Sequence, residues 1–178
     1  MNNKLKAKRI GITALIVVFS YLLQCTLFHH LTLANIKPNL LIIITASFGF
    51  MQGPKTGMLV GFFLGLFMDI QSGGVIGLYA LIYLLMGYGN GLFEQLYFDE
   101  DLKLPLILIS VSEFVYGLVI YLLMFMLRSE FNFIYYLEHN IIPELLYTTA
   151  VALVVYPLIL FVNQKLKIEE KRSASKFV

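Results

Sequence analysis

The sequence predicts an all-α integral membrane protein of about six transmembrane helices, and three observations support this fold class. Hydrophobic residues make up 59% of the 178 residues and charged residues only 13%, whereas a soluble domain has about 25% charged residues. The apolar residues form successive segments separated by short polar ones, as helices that cross a bilayer require. Basic residues crowd the two ends. Lipid is therefore the expected solvent for much of the surface.

These segments form a single predicted transmembrane helical domain over residues 10–162. A basic N-terminus (residues 1–9) and a basic tail (residues 163–178) flank this domain, and both are expected in the cytoplasm. The predicted spans are residues 10–27, 38–51, 56–70, 75–93, 104–127 and 141–162.

The first span resembles a signal peptide because basic residues precede it. Its apolar part is too long for a signal peptide, however, and no pair of small residues marks a cleavage site after it. We therefore predict a retained helix. The single cysteine, Cys25, excludes an intramolecular disulfide.

The second and third spans are short. Pro38 suits the first turn of a helix, and Gly53 and Pro54 then break the segment after about 13 residues, below the ~20 that a straight span needs. Two interpretations stay open at this point. The pair is either two thin spans or a re-entrant hairpin protected by its neighbours.

The later spans have clearer boundaries. A glycine-containing turn precedes the fourth span, Pro105 opens the fifth, and Pro157 is expected to kink the sixth. Residues 128–140 are polar and aromatic, which favours a short helix on the membrane surface.

The distribution of Lys and Arg predicts the topology. With six crossings and a cytoplasmic N-terminus, eleven of these residues lie on the cytoplasmic side and two outside. Five crossings would place one basic end outside and are disfavoured. Four crossings plus a re-entrant hairpin would give the same count, so an even number is predicted and six is favoured.

A stripe of small residues marks the third span. Gly57, Gly61 and Gly65 recur every fourth residue among large apolar side chains, and Asp69 ends the series. Four residues turn a helix by about 400°, so the glycines share one face, and small residues let helix backbones approach closely in lipid. The stripe therefore predicts helix packing, either within the protein or against a partner, with Gly77 opening the next span.

Two acidic residues invite a functional interpretation. Asp69 either bonds the backbone amides of Ser72 and Gly73 in a turn or orients a partner on the outer side. Glu113 is the one carboxylate expected near the middle of a span, where a charge is costly. We expect it to be protonated and bonded to a Tyr or Ser side chain, to face a cavity, or to contact a partner helix. A structural hydrogen bond is favoured over a proton relay.

Nothing in the sequence raises an enzyme above a background expectation. Adjacent His29 and His30 point in different directions and lack a third ligand, so no metal site is predicted. No nucleophile with an acid and a base, no phosphate loop and no cofactor motif occurs. The basic ends are better suited to anionic lipid or a cytoplasmic protein than to nucleic acid, given the apolar middle.

An ordered series of motifs runs through the first half of the chain, namely PNLL at 38–41, QGPKTG at 52–57, GFFLGLFMD at 61–69, GLYAL at 77–81 and GY at 87–88. This series resembles the rod shape-determining protein MreD family. Asn39 stands where that family commonly has an acid, and Lys55 lies near a common Arg.

The resemblance implies a bundle of about six helices, with a fold like that of the substrate-binding subunits of energy-coupling-factor vitamin transporters. It also implies a non-catalytic scaffold in the bacterial cell membrane, acting in cell elongation and peptidoglycan synthesis beside MreC. MreB, RodA and a class B penicillin-binding protein would be indirect partners. The leading hypothesis is therefore a scaffold that binds an MreC-like protein and maintains rod shape.

Two alternatives differ in class. A vitamin-capture subunit of the energy-coupling-factor type predicts an outward-facing polar pocket near the outer ends of the later spans, to which residues 128–140 would contribute. A proton-coupled carrier would be centred on Glu113.

Overall fold

The computed structural model describes residues 3–30, 36–73, 75–96, 102–128 and 132–175, with side chains described for residues 7–26, 36–73, 75–96, 102–123 and 132–169. Seven α-helices make up most of this described part of the chain. No β-strand occurs among these described residues. The helices are α1 (Asn3–His30), α2 (Leu40–Gln52), α3 (Pro54–Ser72), α4 (Leu78–Gly91), α5 (Lys103–Arg128), α6 (Phe133–Tyr136) and α7 (Ile142–Ser175), with a 3-10 turn at Glu94–Leu96 and a π-helical turn at Leu137–Ile141.

The predicted all-α membrane class is confirmed. Among the described residues, three segments are long and apolar enough to cross a bilayer, namely Ala7–Thr26, Lys103–Leu123 and Phe133–Glu169, and Leu40–Gln52 is apolar but shorter. Large apolar side chains are exposed along every helix of the set except α2, as expected where lipid covers the surface. The six crossings and the cytoplasmic position of both ends stay predictions.

The short helix α2 forms the centre of the bundle. Every residue from Leu40 to Met51 is buried, because α1, α3, α4, α5 and α7 all pack against it. Its 13 residues rise about 20 Å, less than the roughly 30 Å of hydrocarbon that a straight span must cover. Enclosure by protein lets such a short helix keep its ends satisfied at membrane depth.

The N-terminus of α2 is fixed by side chains from three other helices. Oδ1 of Asn39 accepts from the amide of Ile42 at 3.2 Å and from the hydroxyl of Tyr83 at 2.9 Å. The amide of Asn39 donates to Oγ1 of Thr148 at 2.9 Å, and Gln24 of α1 holds the same turn through two further bonds. The otherwise unpaired donors of this helix end are thereby satisfied inside the bundle.

The region before α7 differs from the predicted surface helix. Helix α6 leads through the π-helical turn at Leu137–Ile141 directly into α7. No proline or glycine interrupts residues 131–142, and a π turn accommodates an irregularity in a helix without ending it. The described part of this region, residues 132–141, is therefore an extension of the last helix.

Helix α1 lies at the edge of the bundle. Of its described side chains, Val17 and Ser20 are buried, and most of the others are exposed or half-buried. Tyr21 stacks on Phe67 of α3 with ring centroids 4.9 Å apart. Nζ of Lys8 lies 2.6 Å from the carboxylate of Glu169 on α7. Side-chain contacts such as these attach α1 to its neighbours.

Candidate functional site

The glycine stripe of α3 faces α4, and the backbones of the two helices are in direct contact there. A β-carbon at Gly57 would overlap the carbonyl group of Gly87, one at Gly61 would overlap that of Tyr83, and one at Gly65 would strike the first turn of α4. Each overlap involves backbone atoms, which cannot move aside as a flexible side chain could. As the stripe advances by four residues the contact on α4 recedes by four, so the helices are antiparallel.

Helix α4 contributes its own small residues at the same spacing. A β-carbon at Gly87 would overlap the backbone of Gly57, and one at Gly91 would overlap Pro54. On α2, a β-carbon at Gly49 would come within 2.6 Å of the carbonyl oxygen of Gly87. Three helix backbones therefore meet around Gly49, Gly57 and Gly87, where no side chain intervenes.

Asp69 caps the start of α4 from the end of α3. Its carboxylate is buried and accepts three backbone hydrogen bonds, from Gly77 at 2.9 Å, Tyr79 at 2.9 Å and Ala80 at 3.1 Å. The expected bonds to the amides of Ser72 and Gly73 are therefore not the ones made. An anion near a helix N-terminus is favoured both by the unpaired donors and by the helix dipole.

Gly77 makes this cap possible through its backbone conformation. Its φ of 101° lies in the left-handed region, which costs glycine little and costs other residues considerably more. Gly77 precedes the first helical residue, Leu78, and offers no capping side chain of its own. Asp69 supplies the missing acceptor across the turn, so the two residues form one structural unit.

Glu113 has an acidic neighbour that the sequence analysis did not assign. Glu113 is 2% exposed, and the carboxyl group of Glu144, in the first turn of α7, lies close enough to interact with it electrostatically. Glu113 is therefore not isolated from other acidic groups, and its bonding to a Tyr or Ser side chain stays a prediction.

Further polar pairs join the helices around this core. Nδ2 of Asn90 donates to Oγ of Ser112 at 2.7 Å, which joins α4 to α5. The hydroxyls of Ser110 and Thr149 lie 2.9 Å apart between α5 and α7. Hydrogen bonds of this kind substitute for the hydrophobic driving force that lipid does not provide between helices.

Comparison with known proteins decides the family. Residues 7–166, most of the chain, match the family described as rod shape-determining protein MreD. The chain belongs to the MreD family. The resemblance inferred from the motifs is thereby confirmed, and membership supports a role in rod shape determination at a membrane. No curated protein and no solved structure matches the chain.

The motifs shared with MreD proteins occupy the helix ends and the close contacts. The motif at 38–41 contains the α2 cap, that at 61–69 carries the glycine face and ends at Asp69, and that at 77–81 contains the amides which Asp69 binds. At the departure from the family pattern, Asn39 acts as the cap through an amide oxygen where an acid would offer a carboxylate. These motifs therefore describe how the helices are joined.

Several residues of the site escaped sequence reasoning. Gly87 and Gly91 line the same contact as the α3 stripe, and their four-residue spacing was a usable signal. Glu144 also carried a signal, since it is a second acid within an apolar segment. The face of α4 opposite the stripe was not predicted, because spacing identifies a smooth face and not its neighbour.

In the described part of the chain, no group of three or more His, Cys, Asp or Glu side chains comes together to bind a metal ion. The side chains of His29 and His30, for which no metal site was predicted, lie outside the described residues.

A cavity of about 840 Å³ lies between α1 and α3, at the end where Arg9 and Lys167 are found. A vitamin-capture subunit predicts a pocket near residues 128–140 instead, and no residue of that segment lines this cavity.

Proposed function

We propose that this MreD-family protein is a non-catalytic membrane scaffold of the cell-wall elongation machinery, and that it maintains rod shape by binding an MreC-like membrane protein. The single observation that supports this most is how its buried polar groups are used. Asp69, Asn39 and Asn90 all bond to backbone or side chains of another helix or helix end. Such groups hold an architecture together.

In this proposal Gly57, Gly61, Gly65, Asp69 and Gly77 serve partner binding indirectly. The glycine face is covered by α4, so a partner has no access to it in the folded protein. These five residues instead hold α3 and α4 together as one rigid unit. A partner would then recognise the outer surface of that unit, whose shape depends on the buried contact.

We place the partner's transmembrane helix on the outer face of α4. Leu81, Leu85 and Tyr88 follow each other at helical spacing and are 57%, 56% and 43% exposed. This face lies on the opposite side of α4 from Tyr83 and Gly87, which contact the glycine stripe. An apolar helix face of this kind suits packing against another transmembrane helix.

Co-purification from detergent with an MreC-like protein tests the proposal. Gly61→Leu with Gly65→Leu should lose both the helical fold, measured by circular dichroism, and the partner. Leu81→Ala with Leu85→Ala should keep the fold and weaken the complex, because only the outer face changes.

The matched control is Leu153→Ala with Val154→Ala, which removes similarly exposed side chains from α7 and should leave the complex intact. A complex that survives the double Gly→Leu change would refute the role of the stripe. Failure of the unmodified protein to bind any MreC-like partner would refute the scaffold.

A proton-coupled carrier is a second candidate, since the buried Glu113 has the half-buried carboxyl group of Glu144 close to it. Glu113→Gln separates the two functions, because glutamine keeps the size and hydrogen-bonding capacity of the side chain and cannot release a proton. A scaffold predicts normal cell shape and growth with this variant. Loss of rod shape, with the protein still folded and inserted, would favour the carrier.

A further inference from the structure

The cavity between α1 and α3 is a groove with a polar end and an apolar end. Residues of the first half of α1 form one wall, α3 forms the other, and Met51 and Val60 are buried at its base. The stacked rings of Tyr21 and Phe67 join the two helices at the far end of α3. We call this cavity the α1–α3 groove.

The polar lining residues all lie toward one end of the groove. Arg9 and Thr13 come from the start of α1, Thr56 from the start of α3, and Lys167 from the last part of α7. The ion pair between Lys8 and Glu169 holds those parts of α1 and α7 together. Beyond this end the walls are aliphatic and aromatic, ending at Phe67.

The charges at the polar end favour an anion. Arg9 and Lys167 provide two cations, and Glu94 provides the one carboxylate among the lining residues. The carboxylate of Glu94 lies against Gly53 at the start of α3, where the positive end of the helix dipole compensates its charge. Basic pockets between transmembrane helices recognise anionic lipid head groups.

The dimensions of the groove match a lipid chain better than a helix. From Thr56 to Phe67 an α-helix rises about 16 Å, close to half of the roughly 30 Å hydrocarbon layer. The volume is about 840 Å³. A spanning helix about 10 Å wide and 30 Å long would need roughly 2,400 Å³.

We propose that the α1–α3 groove binds an anionic glycerophospholipid, with the phosphate at Arg9 and Lys167 and an acyl chain along α3 toward Phe67. The lipid would fill the space that the loosely attached α1 leaves against the bundle. It would belong to the same leaflet as the basic ends of the chain.

Native mass spectrometry of the full-length protein in detergent tests this proposal, with phosphatidylglycerol as the probe and phosphatidylcholine of the same acyl chains as the comparison. Phosphatidylglycerol should bind more tightly. Arg9→Gln with Lys167→Gln should weaken its binding about 25-fold, because each basic residue near the membrane surface contributes a factor of about five.

Two further variants separate the groove from general attraction. Lys55→Gln with Lys165→Gln removes the same charge from exposed positions outside the lining and should change the affinity less than threefold. Ala14→Phe fills the groove with both cations in place and should abolish phosphatidylglycerol binding. Circular dichroism identifies any variant that fails to fold, and the two charge pairs then decide the result.

Four outcomes would overturn the proposal. The first is an equal loss of phosphatidylglycerol affinity in the two charge variants, and the second is equal affinity for phosphatidylglycerol and phosphatidylcholine. The third is competition by free glycerol phosphate as strong as competition by the whole lipid. The fourth is an Ala14→Phe protein that keeps the lipid and loses an MreC-like partner, which would assign the groove to that protein.

Discussion

The α3–α4 pair and helix α1 are built in opposite ways. Helices α3 and α4, of 19 and 14 residues, touch through their backbones along a face without side chains. Helix α1 has 28 residues and is attached by side chains such as Tyr21 and Lys8, with an open groove beside it. Length and hydropathy therefore do not measure how firmly a helix belongs to this bundle.

The difference follows from the solvent. Apolar side chains gain little by leaving lipid for protein, so a long apolar helix has no strong reason to pack. Two helix backbones that approach closely form more dispersion contacts than lipid chains would form with the same smooth helix face. Substitutions in the two regions should accordingly differ in size, and the following four are ordered from the largest expected effect.

Gly61→Ala should destabilise the protein by about 3 kcal/mol or more, because overpacking costs more when the obstacle is backbone. The added carbon would strike the carbonyl group of Tyr83. Unfolding in mixed detergent, followed by circular dichroism, gives the value. Gly89→Ala is the matched control, since nothing lies within 4 Å of its added carbon. Equal losses in both variants would show that the contact with Tyr83 does not set the effect, since the higher helix propensity of Ala would on its own stabilise both helices.

Asp69→Asn should cost about 2–3 kcal/mol, since three amide hydrogen bonds to a charged acceptor are replaced by fewer bonds to a neutral one. The same unfolding measurement applies, and hydrogen exchange at the start of α4 should rise selectively. Ser72→Ala, which removes a neighbouring hydroxyl that bonds the Asp69 carbonyl, should cost under 1 kcal/mol. Equal destabilisation by Asp69→Asn and Ser72→Ala would show that the Asp69 cap does not contribute to stability.

Tyr21→Ala and Phe67→Ala test the attachment of α1. A double-mutant cycle should give a coupling of about 0.5–1.5 kcal/mol, the range for stacked aromatic pairs, at the observed 4.9 Å ring separation. A coupling energy as large as the about 3 kcal/mol expected for Gly61→Ala would remove the contrast between the two regions.

Lys8→Ala should change stability least, by under 1 kcal/mol, because both partners of its ion pair are about half exposed. The effect should shrink further as salt is added. Thermal unfolding of the variant and of Glu169→Ala at low and high salt checks this, and a salt-independent loss would indicate packing instead of charge.

Sequence reasoning reached the class of the fold and the most regular part of the site. Composition and segment length are enough for an all-α membrane protein, and the spacing of Gly57, Gly61 and Gly65 identifies a packing face because helix periodicity is fixed. Asp69 was singled out by its place at the end of that face, although its bonding partners lie further along the chain than expected.

The remainder depends on distance in space. Glu144 follows Glu113 by 31 residues, and nothing in the periodicity of either helix brings them together. The full burial of α2 was likewise invisible, because a lipid-facing residue and a core residue are equally apolar in a membrane protein. Hydropathy distinguishes residues that face water from apolar residues. It does not distinguish residues that face lipid from residues that face the protein interior.

The cap of α2 can be completed only late in synthesis, because one of its hydrogen-bond partners is translated long after α2. The amide of Asn39 bonds a hydroxyl 109 residues later in the chain. A ribosome that adds about 5–20 residues per second needs roughly 5–20 s to cover that distance. During this interval the nascent chain holds an incompletely bonded helix end in the bilayer, and only the arrival of the last helix completes the core.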